Sequence, residues 1–593
     1  MSGIIIRKVG TGSRPLPELL RRLCFVHWTK SVQDTCSGFE FGLSWIDVAG
    51  YTPFFQCPPQ DVTIAVMGRI YDSQHGIRLD RRLDVLAEDY RRRGAEALYP
   101  FEGAGNLILF DRQASCCFIV TDRLGWMPLY VAHPEQPERT VVCSHPDVLA
   151  ASCAEPQALD EASLAEHLAT RRVLHPYTSY RDVRELSPAS VYRWDAAGFR
   201  REKSYWMPEM NLDANLKMET LAMELAEITR EEVRRREADT PGRKGLLLSG
   251  GLDSRAILFA LARPQEALSI TLCDGPGREA QIAAAMAKAA GAEHLLFQRD
   301  PEYYGNMAVN AVRVLGGMCD FGHAHTGGFS APLHAASPHL LFHAYFADGL
   351  FKGYELDRRT RRPLGFMPKR KSFAPFSPDW ESEHVALAPP YQRLVEDRLA
   401  ARYSHLPPDR TTPAGRCLVE LARFRPVSRR AGFPFCAMLM RTQATDFLFS
   451  DLRTLNCFLK TRPEWKLNRE LWIRTIARIS PQTMCFPDTN TGMLPTASFL
   501  RQCITDISSK IAKCVPGKRT TERSWIDWRS YLQQSAAVKM LWAEVRQVEP
   551  ELFRSILGYD PFARPLEAWA ADPQLFRRIL STGLWLKYRI THG

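Results

Sequence analysis

The chemistry of this chain is most concentrated in the string Leu248-Ser249-Gly250-Gly251-Leu252-Asp253-Ser254-Arg255. A short apolar run enters two glycines and leaves directly into a helical pattern. Glycines let a backbone approach phosphate closely, and the N–H groups at a helix start favour an anion. Ser249 and Ser254 add hydroxyl donors. Asp253 places a carboxylate among phosphates, which makes sense if it holds Mg²⁺ bridging them. A bare Gly-Gly would be an ordinary strand-to-helix turn; the full Ser-Gly-Gly-x-Asp-Ser string between a strand and a helix points to phosphate binding. Gly-Lys-Ser/Thr is missing, so the loop is not of the Walker type.

Other candidates are weaker. His323 and His325 would share one face of a strand. They lack a further ligand at a telling spacing, so pocket lining or packing is expected rather than metal. Arg255 would sit near a pyrophosphate or on the helix surface. Glu279, at a helix start, could approach a nucleotide. Lys466 fits either a catalytic position or a helix start.

These residues need elements to position them. At 593 residues the chain is too long for one core, so two or more domains are expected. Apolar residues at 45% and charged residues at 24% are ordinary globular values. The net charge of +11 is scattered over short clusters, which does not favour nucleic acid. The 15 cysteines form no Cys-x-x-Cys pair, so reduced thiols are expected. A cytoplasmic protein with no signal peptide and no membrane span follows. The first two hundred residues read as mostly β, with helices at RRLDVLAEDYRRRG and DEASLAEHLAT and a polar exit from Trp194 to Trp206. From about Asn215 long helical patterns alternate with short buried strands: GLLLSG, LSITLC and HLLFHAYFADG. Such alternation predicts a doubly wound parallel sheet. A Pro- and Arg-rich stretch, about 355–412, reads as an exposed insertion, and the rest is helical. The predicted class is α/β: a β-rich α+β domain at 1–206, then a parallel-sheet domain at 207–593 with a helical C-terminal part.

The loop at 248–255 resembles that of the ATP-pyrophosphatases and, more closely, the asparagine synthetase superfamily. Ala347-Asp348-Gly349-Leu350-Phe351-Lys352-Gly353-Tyr354 is similar to that superfamily's second acidic loop, which implies a second magnesium ligand at Asp348. The N-terminus resembles a class II glutamine amidotransferase domain through Met1-Ser2-Gly3-Ile4, Gly68-Arg69-Ile70-Tyr71-Asp72 and Thr121-Asp122-Arg123-Leu124-Gly125-Trp126-Met127-Pro128-Leu129-Tyr130. The resemblance implies ATP and Mg²⁺ as cofactors and an acyl-adenylate route to an amide, with AMP and pyrophosphate released.

The departures narrow this. Ser2 replaces the nucleophilic Cys, and Gly42, Met67 and Arg69 replace the glutamine-holding residues; only Asp122 remains. An amine other than ammonia must then attack. The resemblance offers a β-lactam synthetase type, with Tyr345 at its catalytic tyrosine position, or a lasso-peptide cyclase. The first lacks its acid near Ser428-Arg429-Arg430 and its lysine near 487–492. The expectation is a lasso-peptide cyclase joining a precursor peptide's N-terminal amine to an Asp or Glu side chain. Its partners would be that peptide and a leader-binding or protease protein. A β-lactam-synthetase-like or asparagine-synthetase-like ligase of small amino acids is the alternative.

Overall fold

A computed structural model describes residues 3–240, 242–336, 339–362, 369–378, 385–489, 491–497, 501–504 and 526–589. Ser2, Asn490 and parts of the 355–412 stretch lie outside them.

The N-terminal region is a sandwich of two six-stranded antiparallel sheets. Side chains alternate across a strand, and the sequence uses both faces. In the first strand, Gly3–Lys8, Ile4 and Ile6 enter the core between the sheets, while Ile5 faces the helix Leu16–Arg22. In Val62–Asp72, Ala65 and Met67 face that same core, while Ile64, Val66 and Ile70 pack under the helix Leu83–Arg93. Burial on both faces explains why this strand reads as a continuous apolar run. Phe41 and Phe110 stack across the sandwich at 4.5 Å. The stretch expected as a polar exit is instead an edge strand, Gly198–Ser204, paired with Ser190–Asp195. Its outward residues are polar because they face water.

The amphipathic helix Met218–Ala238 leads into a parallel sheet of five strands. Their spatial order is Glu293–Gln298, Ala267–Cys273, Lys244–Leu247, Leu340–His343 and Thr445–Phe447. The chain winds outward from Lys244–Leu247 in one direction, then returns to build the other side. The order therefore reverses between Lys244–Leu247 and Leu340–His343, and the crevice above their carboxyl ends is where open α/β sheets place ligands.

The 355–412 stretch is not simply an exposed loop. It holds a hairpin, Arg358–Arg361 with Arg370–Phe373, and a helix, Pro389–Tyr403, that buries Val395, Leu399 and Tyr403. The C-terminal helix Pro573–Tyr588 is buried nearly all round, and its Trp585 donates to Asp147 of the N-terminal region at 3.1 Å. Among the described residues, no helix is long and apolar enough to cross a membrane.

Candidate active site

The switch point holds a cavity of about 370 Å³. Ser249, Asp253 and Ser254 enter it from the end of Lys244–Leu247, and His343, Tyr345 and Asp348 from the end of Leu340–His343. The loop is braced from within. Ser254 Oγ donates to the Ser249 carbonyl at 3.0 Å and accepts the Ser249 N–H at 3.1 Å, and the Gly251 N–H donates to Ser249 Oγ at 3.2 Å. Gly250 is required by close approach. A Cβ there would overlap Thr489 Oγ1, a buried hydroxyl with no hydrogen-bond partner among the described residues.

Arg255 is neither on the surface nor among the residues lining the cavity. It is fully buried, and all five of its N–H donors go to backbone carbonyls. Two belong to Gly250 and Gly251, three to Thr483, Phe486 and Pro487, at 2.7–3.1 Å. It is a strut that ties the loop to the segment carrying Thr489. Only a planar fork can serve five acceptors at once.

The two aspartates differ in surroundings. Asp253 accepts from Lys352 Nζ at 2.6 Å and from Trp472 Nε1 at 2.8 Å. Burial raises its pKa, and the Asp348 charge adds to that rise while Lys352 opposes it. At Asp348 burial also disfavours the charge, but Arg430 and Lys352 outweigh it and hold the carboxyl below its ordinary value. Arg430 stands 3.6 Å from Asp348 and the Gly349 N–H donates to it at 2.8 Å. Two carboxylates facing one cavity suit a hard cation that takes its remaining oxygens from phosphate and water. The residues thus fit Mg²⁺ carried in with a nucleotide.

Tyr345 is half-buried, and its buried hydroxyl has no hydrogen-bond partner among the described residues. Arg430 lies over its ring at 5.2 Å. The acid missing at 428–430 arrives from elsewhere: Glu355 accepts from Arg430 Nε at 2.8 Å. From the N-terminal sandwich, Trp126 meets the Tyr345 ring edge-on at 5.9 Å.

His323 and His325 line the cavity, but not from a strand; Phe321–His323 is a turn of 3-10 helix. Its Asp320 side chain accepts the Gly322 N–H and so favours the tight turn over an extended run. Burial pushes the pKa of His323 and of His343 down to about 4, and that of His325 well below its usual value. All three are neutral rings at pH 7. Glu279 also lines the cavity. Lys466 does not: it is fully buried against Glu420 and the ring of Phe458. Sequence reasoning missed Arg430, Glu355 and Trp472, which come from distant segments. Lys352 was inside a quoted string and could have been noticed as a cation among acids.

Residues 43–206 match the family described as glutamine amidotransferase domain, and residues 224–484 match asparagine synthase. The chain carries an asparagine synthase domain behind a glutamine amidotransferase domain. This tandem is that of the asparagine synthetase superfamily, and it makes the chain an ATP-dependent carbon–nitrogen ligase that uses Mg²⁺ and forms AMP and pyrophosphate. No curated protein matches the chain. The matched asparagine synthase segment contains the whole cavity wall, from Leu247 to Phe435.

Proposed function

We propose that this ligase is a lasso-peptide cyclase. It activates an Asp or Glu side chain of a precursor peptide and joins it to the peptide's own N-terminal amine as an isopeptide bond. The observation that carries the reading is the fate of the glutamine-holding positions. Met67 is packed in the sandwich core. Arg69 is buried and donates to Asp446 of the parallel sheet at 3.1 Å. Gly42 sits in a strand with the Leu20 side chain close to where a Cβ would be. Asp122 accepts the N–H groups of Leu124, Trp126 and Met127, which leaves it holding its own turn. With these groups engaged elsewhere, the domain offers glutamine none of the family's holding contacts, which supports an amine that comes from the acceptor itself.

In this reading the loop 248–255 cradles the ATP phosphates, and Asp253 and Asp348 would hold a magnesium ion, which would supply positive charge against the leaving pyrophosphate. The peptide carboxylate attacks the α-phosphorus; the amine then attacks the activated carbonyl and AMP leaves. Tyr345, in a water-poor corner beside Arg430, stands where that amine would approach. The neutral rings of His323, His325 and His343 line the acceptor side with hydrogen-bonding groups but no charge. The cavity is small for a folded peptide, so only the reacting ends would enter it.

The test uses purified protein, ATP, Mg²⁺ and peptides with a free α-amine and an Asp or Glu several residues on. Mass spectrometry should find a product short of one water, together with equimolar AMP. AMP formed with free small amino acids as substrates, and none with any peptide, would rule out the cyclase.

A further inference from the structure

A second cavity, of about 670 Å³, lies behind the Ser428–Arg430 turn, between the N-terminal sandwich and the helices Pro389–Tyr403 and Pro413–Phe424. Its volume is in the range of ordinary ligand sites. The residues lining it include four arginines, two histidines and no acid. Among the described residues, Arg429 is the one of these arginines paired with a carboxylate, that of buried Glu185. Arg402 donates to the carbonyls of Ala422 and Arg423 at 2.6–3.1 Å, and Arg425 to that of Arg123 at 3.1 Å. Carbonyls use up donors without neutralising charge. Arg425 Nη2 also donates to the Pro188 carbonyl at 3.4 Å; the Nη1 of each arginine has no partner among the described residues, and both residues line the cavity. Arg201 adds an exposed cation at the rim.

A partly buried cation left without a counter-ion is costly, and a protein keeps one where a ligand supplies the anion. Burial lowers Arg402 and Arg425 to about 10; Arg172 adds to the fall at Arg402, while Glu166 and Glu355 at Arg402 and Asp122 at Arg425 oppose it without offsetting it. Beside Ser187, Ser204 and the two histidines, the wall carries apolar side chains, among them Leu406, Leu421, Pro188 and Met207. A bare inorganic ion would leave these surfaces wet.

We infer that this cavity binds an acidic peptide segment, its carboxylate held by Arg402 and Arg425 and its apolar neighbours against Leu406 and Leu421. The choice of a peptide rests on the cyclase reading; the cationic site itself does not. The site adjoins the reaction centre through one turn of chain. Arg429 lines its wall, and the next residue, Arg430, meets Asp348 and Tyr345.

Calorimetric titration of the full chain without ATP tests this, using acetylated and amidated Leu-Glu-Leu-Glu, its Leu-Gln-Leu-Gln match and inorganic phosphate. Blocked ends prevent ligation, so the outcome is independent of the cyclase activity. The Glu peptide should bind at least about tenfold more tightly than either control, the scale of one charge-assisted contact. Arg402→Gln with Arg425→Gln should remove that advantage. Should the double variant melt early, exposed Arg201→Glu serves instead and should weaken the Glu peptide severalfold. Equal binding of the Gln peptide, tighter binding of phosphate, or no binding of the Glu peptide would each overturn the inference.

Discussion

Asp253 and Asp348 are one residue type in one cavity, yet their neighbours set them apart. Lys352 and Trp472 occupy both oxygens of Asp253, whereas among the described residues Asp348 meets Arg430 at 3.6 Å and accepts one backbone N–H. Asp348 is therefore the more available ligand, and Asp253 must exchange Lys352 to reach a metal. Asp253→Asn and Asp348→Asn should each lower the rate of AMP formation roughly a hundredfold, about 3 kcal/mol of barrier, with the circular dichroism melt unchanged. An Asp348→Asn enzyme that works at the normal rate would remove Asp348 from the metal site. At the same scale, Ser2→Cys should release no glutamate from glutamine, because Met67 and Arg69 still fill the glutamine positions. Both aspartates were legible because each stands in a contiguous string with its glycines. Arg430, Glu355 and Trp472 were not, since nothing in their own neighbourhoods marks them and only the tertiary fold brings them to the cavity.

At the scale of elements, the loop works because Arg255 fastens it to the 483–487 segment. Lysine offers three donors on a flexible stem in place of five in a fixed fork. Arg255→Lys should cost about 3 kcal/mol or more in urea unfolding, since several buried carbonyls lose their partner, and it should weaken ATP binding by loosening the loop. Gly250→Ala should also impair ATP binding, through the overlap with Thr489 Oγ1. Adding Thr489→Ala removes that oxygen, so the double variant should recover much of the loss; no recovery would place the strain elsewhere. The strands ending at the site were legible as short apolar runs before glycines. The strand Glu293–Gln298 was missed because it is half exposed, with polar residues at both ends and an apolar stretch of only three residues, Leu295 to Phe297. The 355–412 stretch misled because arginine and proline suggest solvent. Yet Arg423 takes the Asp357 carboxylate at 2.8 Å, and the helix Pro389–Tyr403 buries apolar residues spaced about four apart.

Across the whole molecule, Asp446 joins three bodies. It accepts from Arg69 and Tyr71 of the sandwich and from Arg236 of the helix Met218–Ala238, while sitting in the parallel sheet. Burial opposes its ionisation, but the two arginines outweigh that and hold its pKa below the ordinary value. A depressed carboxylate gives stability that is complete above its unfolded pKa, about 4, and is lost as the pH falls below it. Asp446→Asn should therefore destabilise the chain by roughly 3–5 kcal/mol at pH 7 by stranding two buried guanidiniums. It should also flatten the loss of stability on acidification, read from chemical unfolding between pH 7 and 3. The same contact constrains descent. Arg69 stands where the amidotransferase pattern has glutamate, and it now neutralises Asp446. A back-mutation to glutamate would set two buried carboxylates against each other before any glutamine could be held. The pair is therefore coupled: Arg69 cannot become an acid unless Asp446 changes with it, so a glutamine-holding group at this position costs the joint between the sandwich and the parallel sheet.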